Sequence, residues 1–131
     1  MKLLLDTHSF LWYADGSPQM SATATALVMD PANELFLSMA SVWEIAIKVG
    51  IKKLTLSAAY ATFMTKALAG YGVSVLPITT DDCVRYEALP FPDKTHRDPF
   101  DRMIITHAQR DGLAIVGVDT SFDSYAVTRL W

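Results

Sequence analysis

Five carboxylates stand where strands should end or helices begin, and together they describe a site for a hard divalent cation. Asp6 directly follows the apolar run Leu3 to Leu5, and Asp119 directly follows the run Ala114 to Val118. Asp98 and Asp101 open the segment that leads into that second run, and Glu44 lies near the start of the segment after Leu35-Phe36-Leu37. If these runs are strands of one parallel sheet, all five acids gather at its carboxyl edge. Carboxylates at close range repel one another, and taking them out of water is costly. A divalent cation resolves both difficulties. Oxygen ligands with several retained waters suit Mg²⁺ or Mn²⁺, and the His and Cys spacings of a zinc site are absent.

The elements that would position these acids can be read along the chain. Leu3-Leu4-Leu5, Leu35-Phe36-Leu37, Val73 to Ile78 and Ala114 to Val118 read as buried strands, with Ala126 to Leu130 as an edge strand. Helices are expected at His8 to Ala14, ended by Asp15-Gly16-Ser17-Pro18; at Ser21 to Met29, stopped by Asp30-Pro31; and at Met39 to Val49, stopped by Gly50. Further helices are expected at Ser57 to Leu68, Thr80 to Ala88 and Pro99 to Asp111, the last ending at Gly112 after a polar, proline-rich loop from Pro90 to Arg97. Strands that are apolar throughout and separated by helices indicate an α/β fold, a parallel sheet covered on both faces. In such sheets the working site lies beyond the carboxyl ends of the strands.

The chain has 131 residues, 51% hydrophobic and 19% charged. That fits a single domain over 1–131 with a real core, and it excludes a disordered chain. No apolar run approaches the roughly 20 residues of a membrane span, and no secretory signal is recognisable, so the expected location is cytoplasmic. One cysteine, Cys83, excludes an internal disulfide. It reads as a buried structural thiol rather than a nucleophile. The net charge of −3 excludes nucleic-acid binding by bulk electrostatics. Contact with RNA would need a local basic patch, metal ions or both.

Each acid also has a structural reading. Asp98 before Pro99 is a good helix N-cap, and Asp101 stands in the capping-box position. Ser41 and Glu44 share that spacing, and Glu44 with Lys48 makes an i,i+4 pair. Asp6 can cap the helix after it, and Asp119 can start a turn. Capping explains acids at helix starts. It does not explain Glu44 between Trp43 and Ile45 beside a strand end, and convergence of the whole set favours the metal reading.

These residues resemble a known family. Leu5-Asp6-Thr7-His8 with Leu11-Trp12, Ser41-Val42-Trp43-Glu44-Ile45-Ala46-Ile47-Lys48, His96-Arg97-Asp98-Pro99-Phe100-Asp101-Arg102-Met103, and Val118-Asp119 with Phe122 and Tyr125 occur in this order. The chain resembles the PIN-domain ribonucleases, most closely the VapC-type toxins of bacterial toxin–antitoxin modules. The resemblance implies a PIN-like three-layer fold with a central parallel sheet of about five strands flanked by helices. It implies an acidic cluster that binds Mg²⁺ or Mn²⁺ and cleaves RNA, with catalytic roles for Asp6, Glu44, Asp101 and Asp119. Metal ligation falls to Asp6, Asp101 and Asp119, with Asp98 as an outer ligand or as the cap that aims Asp101. It also implies a homodimer and silencing by a VapB-like antitoxin that threads a segment into the acidic groove. Thr106-His107 departs from the alanine or glutamine of many relatives. His107, six residues after Asp101, points away from it on a helix and reads as a surface or packing residue.

On this reading the metal activates a water for attack on an RNA phosphodiester, with Glu44 as ligand or base. A metal-free route through the ribose 2′-hydroxyl needs a histidine pair, and nothing pairs His8, His96 and His107. RNA contacts are expected from Lys48, Arg97, Arg102 and Thr7, with Lys52, Lys53, Lys94 and His96 as further candidates. Trp12 and Trp43 read as core, with base stacking as the alternative. Phe63 and Met64 suit either an interface or the core. Aspartyl phosphatases need a second Asp two positions after the first, where this chain has His8, and there is no glycine-rich phosphate loop. The rival outside enzymology is a catalytically silent nucleic-acid or protein-binding module with the same fold.

Overall fold

The computed structural model describes all residues, 1–131. Its elements are β1 Lys2–Leu5, α1 Thr7–Ala14, α2 Ala22–Met29, β2 Glu34–Ser38, α3 Met39–Gly50, α4 Tyr60–Gly70, β3 Val73–Leu76, α5 Thr80–Ala88, α6 Pro99–Asp111, β4 Ala114–Val116, a 3₁₀ turn Thr120–Ser124 and β5 Arg129–Leu130. The strands form one sheet in the order β3-β2-β1-β4-β5, and every pairing is parallel. β1 is therefore the first strand and the central one. The chain builds outward from it to β2 and β3, then returns to its other side with β4. That reversal opens a crevice at the carboxyl ends of β1 and β4, where ligands of such sheets bind.

Alternation along the strands divides the core into two layers. Leu3 and Leu5 point to one face with Leu35, Leu37, Val73 and Val116, covered by Phe10, Leu11, Phe63 and Met64. Leu4 and Ile115 point to the other, covered by Ile104, Ile105 and Ala108 of α6 and by Leu113, Phe122 and Tyr125. The central strand is apolar at every position because both faces are buried. Phe63 and Met64 thus belong to the core.

Several boundaries differ from the sequence reading for physical reasons. α4 begins at Tyr60, not Ser57: Leu54 and Leu56 lie on the first core layer ahead of the helix, and the Tyr60 hydroxyl donates to the Val42 carbonyl at 2.8 Å. β3 stops at Leu76 because Pro77 has no amide to donate. β4 stops at Val116 and β5 has only two residues. Gly112 closes α6 in the left-handed conformation at φ 64°, as its place after the helix predicted.

Three side chains also depart from expectation, and a fourth, His107, takes the packing alternative expected of it. Cys83 is exposed, because α5 turns Asp82 inward instead. Trp43 is 60% exposed beside Phe100, not core. Trp12 is half-buried, edge-on against Trp131. His107 is fully buried, 3.2 Å from Asp82, which also receives Arg110 at 2.7 Å. No helix is long and apolar enough to cross a membrane.

Candidate active site

Chain direction places the acids. Asp6 follows β1 and caps α1: its Oδ1 accepts the Ser9 amide at 2.7 Å, while its own amide donates to the Val116 carbonyl at 3.1 Å. Asp119 leaves the end of β4 and caps the 3₁₀ turn, accepting the Ser121 amide at 2.9 Å. Asp101 sits in the first turn of α6, whose N-terminus lies at the same edge. Glu44 comes one turn into α3, directly after β2. The topology brings these four to one crevice.

Their environments differ. Asp6 is 4% exposed; burial pushes its carboxyl above the ordinary value and Asp119 adds to the rise, against the Ser9 hydrogen bonds and His8. Asp101 is pushed up to about 6, first by burial, with Asp98 and Glu44 adding repulsion and His96 opposing them. At Asp119 burial also acts upward, but the Ser121 hydrogen bonds and the two nearby histidines outweigh it and leave the carboxyl below its usual value. The site thus holds acids whose charge it does not itself neutralise.

Glu44 is buried but supported. Thr7 Oγ1 donates to Glu44 Oε1 at 2.6 Å, and Lys48 Nζ donates to Oε2 at 2.8 Å. A hydroxyl has one proton, so Ser41, 2.9 Å from Thr7 Oγ1, completes the relay as donor. The capping box expected between Ser41 and Glu44 does not form; Ser38 caps α3 through the Ala40 amide.

The other expected site residues are placed as follows. Asp98 is exposed and spends Oδ1 on the Phe100 and Asp101 amides, so it acts as the cap that aims Asp101. Arg97 is exposed, and its Nε donates to the Lys94 carbonyl. Arg102 is a correction. At 1% exposure it is withdrawn from any RNA contact, donating to the Leu89 and Pro90 carbonyls and the Tyr125 hydroxyl beneath the Phe91 ring at 3.6 Å. Its early place in an exposed-looking helix turn hid this.

Two further residues shape the crevice. His96 Nε2 lies 3.1 Å from Asp101 Oδ2, and one donor atom each from His96, Asp101 and Asp119 lies within 4.8 Å of the others. Its place two residues before the Asp98 cap was the available signal. Gly117 lies against Asp6: a Cβ there would sit 2.7 Å from Asp6 Oδ2. A glycine at a strand end beside an acid is the signal for such a close approach. The largest cleft, about 800 Å³, is elsewhere, by Met1, Lys2, Gly112 and Thr128 at the opposite edge, and contains no acid.

Comparison with known proteins decides the family. The PIN domain profile matches residues 3–127. The chain belongs to the PIN domain family. PIN domains are generally metal-dependent nucleases. Among solved structures, VapBC2 from Rickettsia felis bound to a DNA fragment from their promoter superposes with a TM-score of 0.72 at 14% identity, covering 99% of this chain and 98% of that one. VapBC-1 from nontypeable Haemophilus influenzae gives 0.68 at 17% identity, covering 99% and 97%. DNA-bound VapBC from Salmonella typhimurium gives 0.68 at 18% identity, covering 99% and 97%. At such identities the likeness is one of fold. No curated protein sequence matches the chain. The donors of this PIN domain fit a divalent cation: carboxylate oxygens at one edge, two of them raised by burial.

Proposed function

We propose that this PIN domain is a metal-dependent endoribonuclease and the toxin of a VapBC-type toxin–antitoxin pair. The observation that carries the reading is the gathering of Asp6, Asp101, Asp119 and Glu44 at the carboxyl ends of β1, β2 and β4, with Asp6 and Asp101 held above the ordinary carboxylate range. Such a set is completed by a cation. Asp6, Asp101 and Asp119 hold Mg²⁺ or Mn²⁺, and Asp98 aims Asp101 as its cap. When bound, the ion supplies a water of lowered pKa and neutralises charge on the phosphoryl oxygens.

The chain's own groups do the rest. Glu44, held by Thr7 and Lys48, would serve as a ligand or as the base for that water. Hydrolysis would add water across the P–O3′ bond: its oxygen bonds to phosphorus as that bond breaks, and its proton passes by way of the base to the 3′ oxygen, leaving a 5′-phosphate and a 3′-hydroxyl. A cleft of about 450 Å³ between α1 and α3, lined by Thr7, His8, Trp12, Lys48 and Lys53, adjoins Glu44 and offers the strand a path. Exposed Arg97 at the other side meets the phosphate backbone. The domain, 1–131, works as a homodimer in the cytoplasm and is silenced by a VapB-like antitoxin segment laid into the acidic crevice.

The test is digestion of a mixed pool of tRNA, ribosomal RNA and single-stranded RNA with Mg²⁺, Mn²⁺ or chelator, alongside Asp6→Asn and Asp101→Asn. Fragments with 5′-phosphates that need metal and vanish in both variants are expected. Cleavage that survives chelator or both substitutions sinks the reading. A folded wild type that binds RNA but cuts none of it indicates the silent binding module.

A further inference from the structure

We propose that His96 is itself a metal ligand, so that one imidazole nitrogen joins the carboxylates of Asp6, Asp101 and Asp119 at this centre. The inference rests on the metal-dependent reading above and refines its donor set. It begins with distances. His96 Nε2 is 3.1 Å from Asp101 Oδ2, and the donor atoms of His96, Asp101 and Asp119 lie within 4.8 Å of one another. Adjacent ligands on an octahedral ion with bonds of about 2.1 Å are about 3 Å apart, and opposite ones about 4.2 Å. The His96–Asp101 pair already has the separation of adjacent ligands. Asp119 is exposed, and while its Oδ1 holds the Ser121 amide its Oδ2 is left for the ion.

The ring's second nitrogen carries the other half of the argument. His96 Nδ1 is 3.1 Å from the Tyr125 hydroxyl, which accepts from Arg102 Nη1 at 3.2 Å. Metal-bound histidines hold their second N–H against such an outer partner, which fixes tautomer and ring direction. The Tyr125 hydroxyl can give or take a proton in this bond. Without an ion, Nε2–H donates to Asp101 and Tyr125 donates to Nδ1. With Nδ1–H donating to Tyr125, the Nε2 lone pair faces two carboxylates, an arrangement only a cation between them makes favourable. The same heavy-atom positions serve both states, so the ring does not have to move.

The support is built from the interior. Arg102 is fixed by the Leu89 and Pro90 carbonyls and by the Phe91 ring, and Tyr125 is 7% exposed. The backbone amide of His96 closes a turn on the Asp93 carbonyl at 3.1 Å. A surface histidine that merely paired with a nearby aspartate would need none of this. The chemical consequence is selectivity: imidazole suits first-row transition ions more than it suits Mg²⁺, so the mixed set prefers Mn²⁺ to Mg²⁺.

The experiment is pulsed EPR on Mn²⁺ bound to the intact protein, with Mn²⁺ and Mg²⁺ affinities from calorimetry. The wild type is expected to show coupling from a directly bound ¹⁴N nucleus. His96→Ala loses it and weakens Mn²⁺ binding by about 10–100-fold, with a smaller loss for Mg²⁺; Tyr125→Phe keeps the coupling with about 10-fold weaker binding. His8→Ala keeps it as well. Bound Mn²⁺ without nitrogen coupling in the wild type, or coupling that survives His96→Ala, overturns the proposal while the nuclease reading stands. If Mn²⁺ does not bind and RNA is still cut in chelator, the metal reading itself falls, and this proposal with it.

Discussion

Gly117→Ala adds one methyl group and asks whether the position of Asp6 is what the site depends on. The new carbon would lie 2.7 Å from Asp6 Oδ2 and 3.0 Å from its Cγ, where ordinary contact starts at 3.4 Å. The carboxylate must retreat by about 0.7 Å. It has little freedom to do so. Asp6 is 4% exposed, its Oδ1 holds the Ser9 amide at 2.7 Å, and its backbone is tied to Val116. Overpacking of a tight site costs about 1–3 kcal/mol, and a strained N-cap up to about 1 kcal/mol more. Gly117 does not have a positive φ, so alanine gains about 0.5 kcal/mol from a stiffer unfolded chain. The expected net loss is about 1–3 kcal/mol, read from urea unfolding. Metal binding and RNA cleavage should fall further than stability, since displacements approaching 1 Å cost on the order of 100-fold in rate. Gly50→Ala is the control, because that methyl meets nothing within 4 Å. A Gly117→Ala protein that unfolds, binds Mn²⁺ and cuts RNA like the wild type would refute the reasoning.

Two further predictions concern charge and pH. Asp101, raised to about 6 by burial first, costs the metal-free fold stability above the ordinary carboxyl value of 3.8, with the full cost present above about 6. Asp101→Asn should therefore be more stable than wild type at pH 7, by on the order of 1–2 kcal/mol after solvent screening, and the gain should vanish near pH 4. Equal stabilities at both pH values, measured in chelator, would contradict this. Asp82 runs the other way. Burial alone would raise its carboxyl, but hydrogen bonds from Thr79 and Arg110, with His107 nearby, hold it at about 2. That contribution is present above 3.8 and lost as pH falls through about 2. Asp82→Asn should cost about 3 kcal/mol at pH 7, because it removes the buried carboxylate that Arg110 and His107 both reach and leaves Arg110 only the exposed Asp111. The deficit should shrink below pH 4, and a variant as stable as wild type at pH 7 would show that the cluster does not hold α5 to α6.

How much of this was legible in the sequence depends on whether a feature is local. The alternation of apolar runs and helical segments gave the parallel sheet, because strands buried on both faces have no polar alternative. The acids at Asp6, Asp98 and Asp119 were readable because each caps the element that follows it, a cap is decided within three residues, and Asp101 stands in the turn that Asp98 caps. Glu44 was readable from its place just after a strand end, although the capping box drawn for it was wrong: α3 is capped one turn earlier, by Ser38.

What escaped the sequence depends on chain segments meeting from afar. Arg102 looked like a surface cation on a helix; only the return of the Leu89–Phe91 segment over it makes it interior. Cys83 looked buried, but α5 exposes it and turns Asp82 inward, where Arg110 supplies the opposite charge and His107 a ring nitrogen, both more than twenty residues on. His96 belongs to the same class. A histidine in a proline-rich loop has no period to betray its direction, and its ring is aimed by Tyr125, which is in turn fixed by Arg102. These three residues connect the buried side of α6 to its acidic tip. The loop from Pro90 to Arg97 is therefore part of the site, and its geometry is set by a guanidinium that never reaches the crevice. Substitutions at Arg102 should disturb Asp101 through His96 even though Arg102 touches no carboxylate, a dependence that no spacing in the sequence discloses.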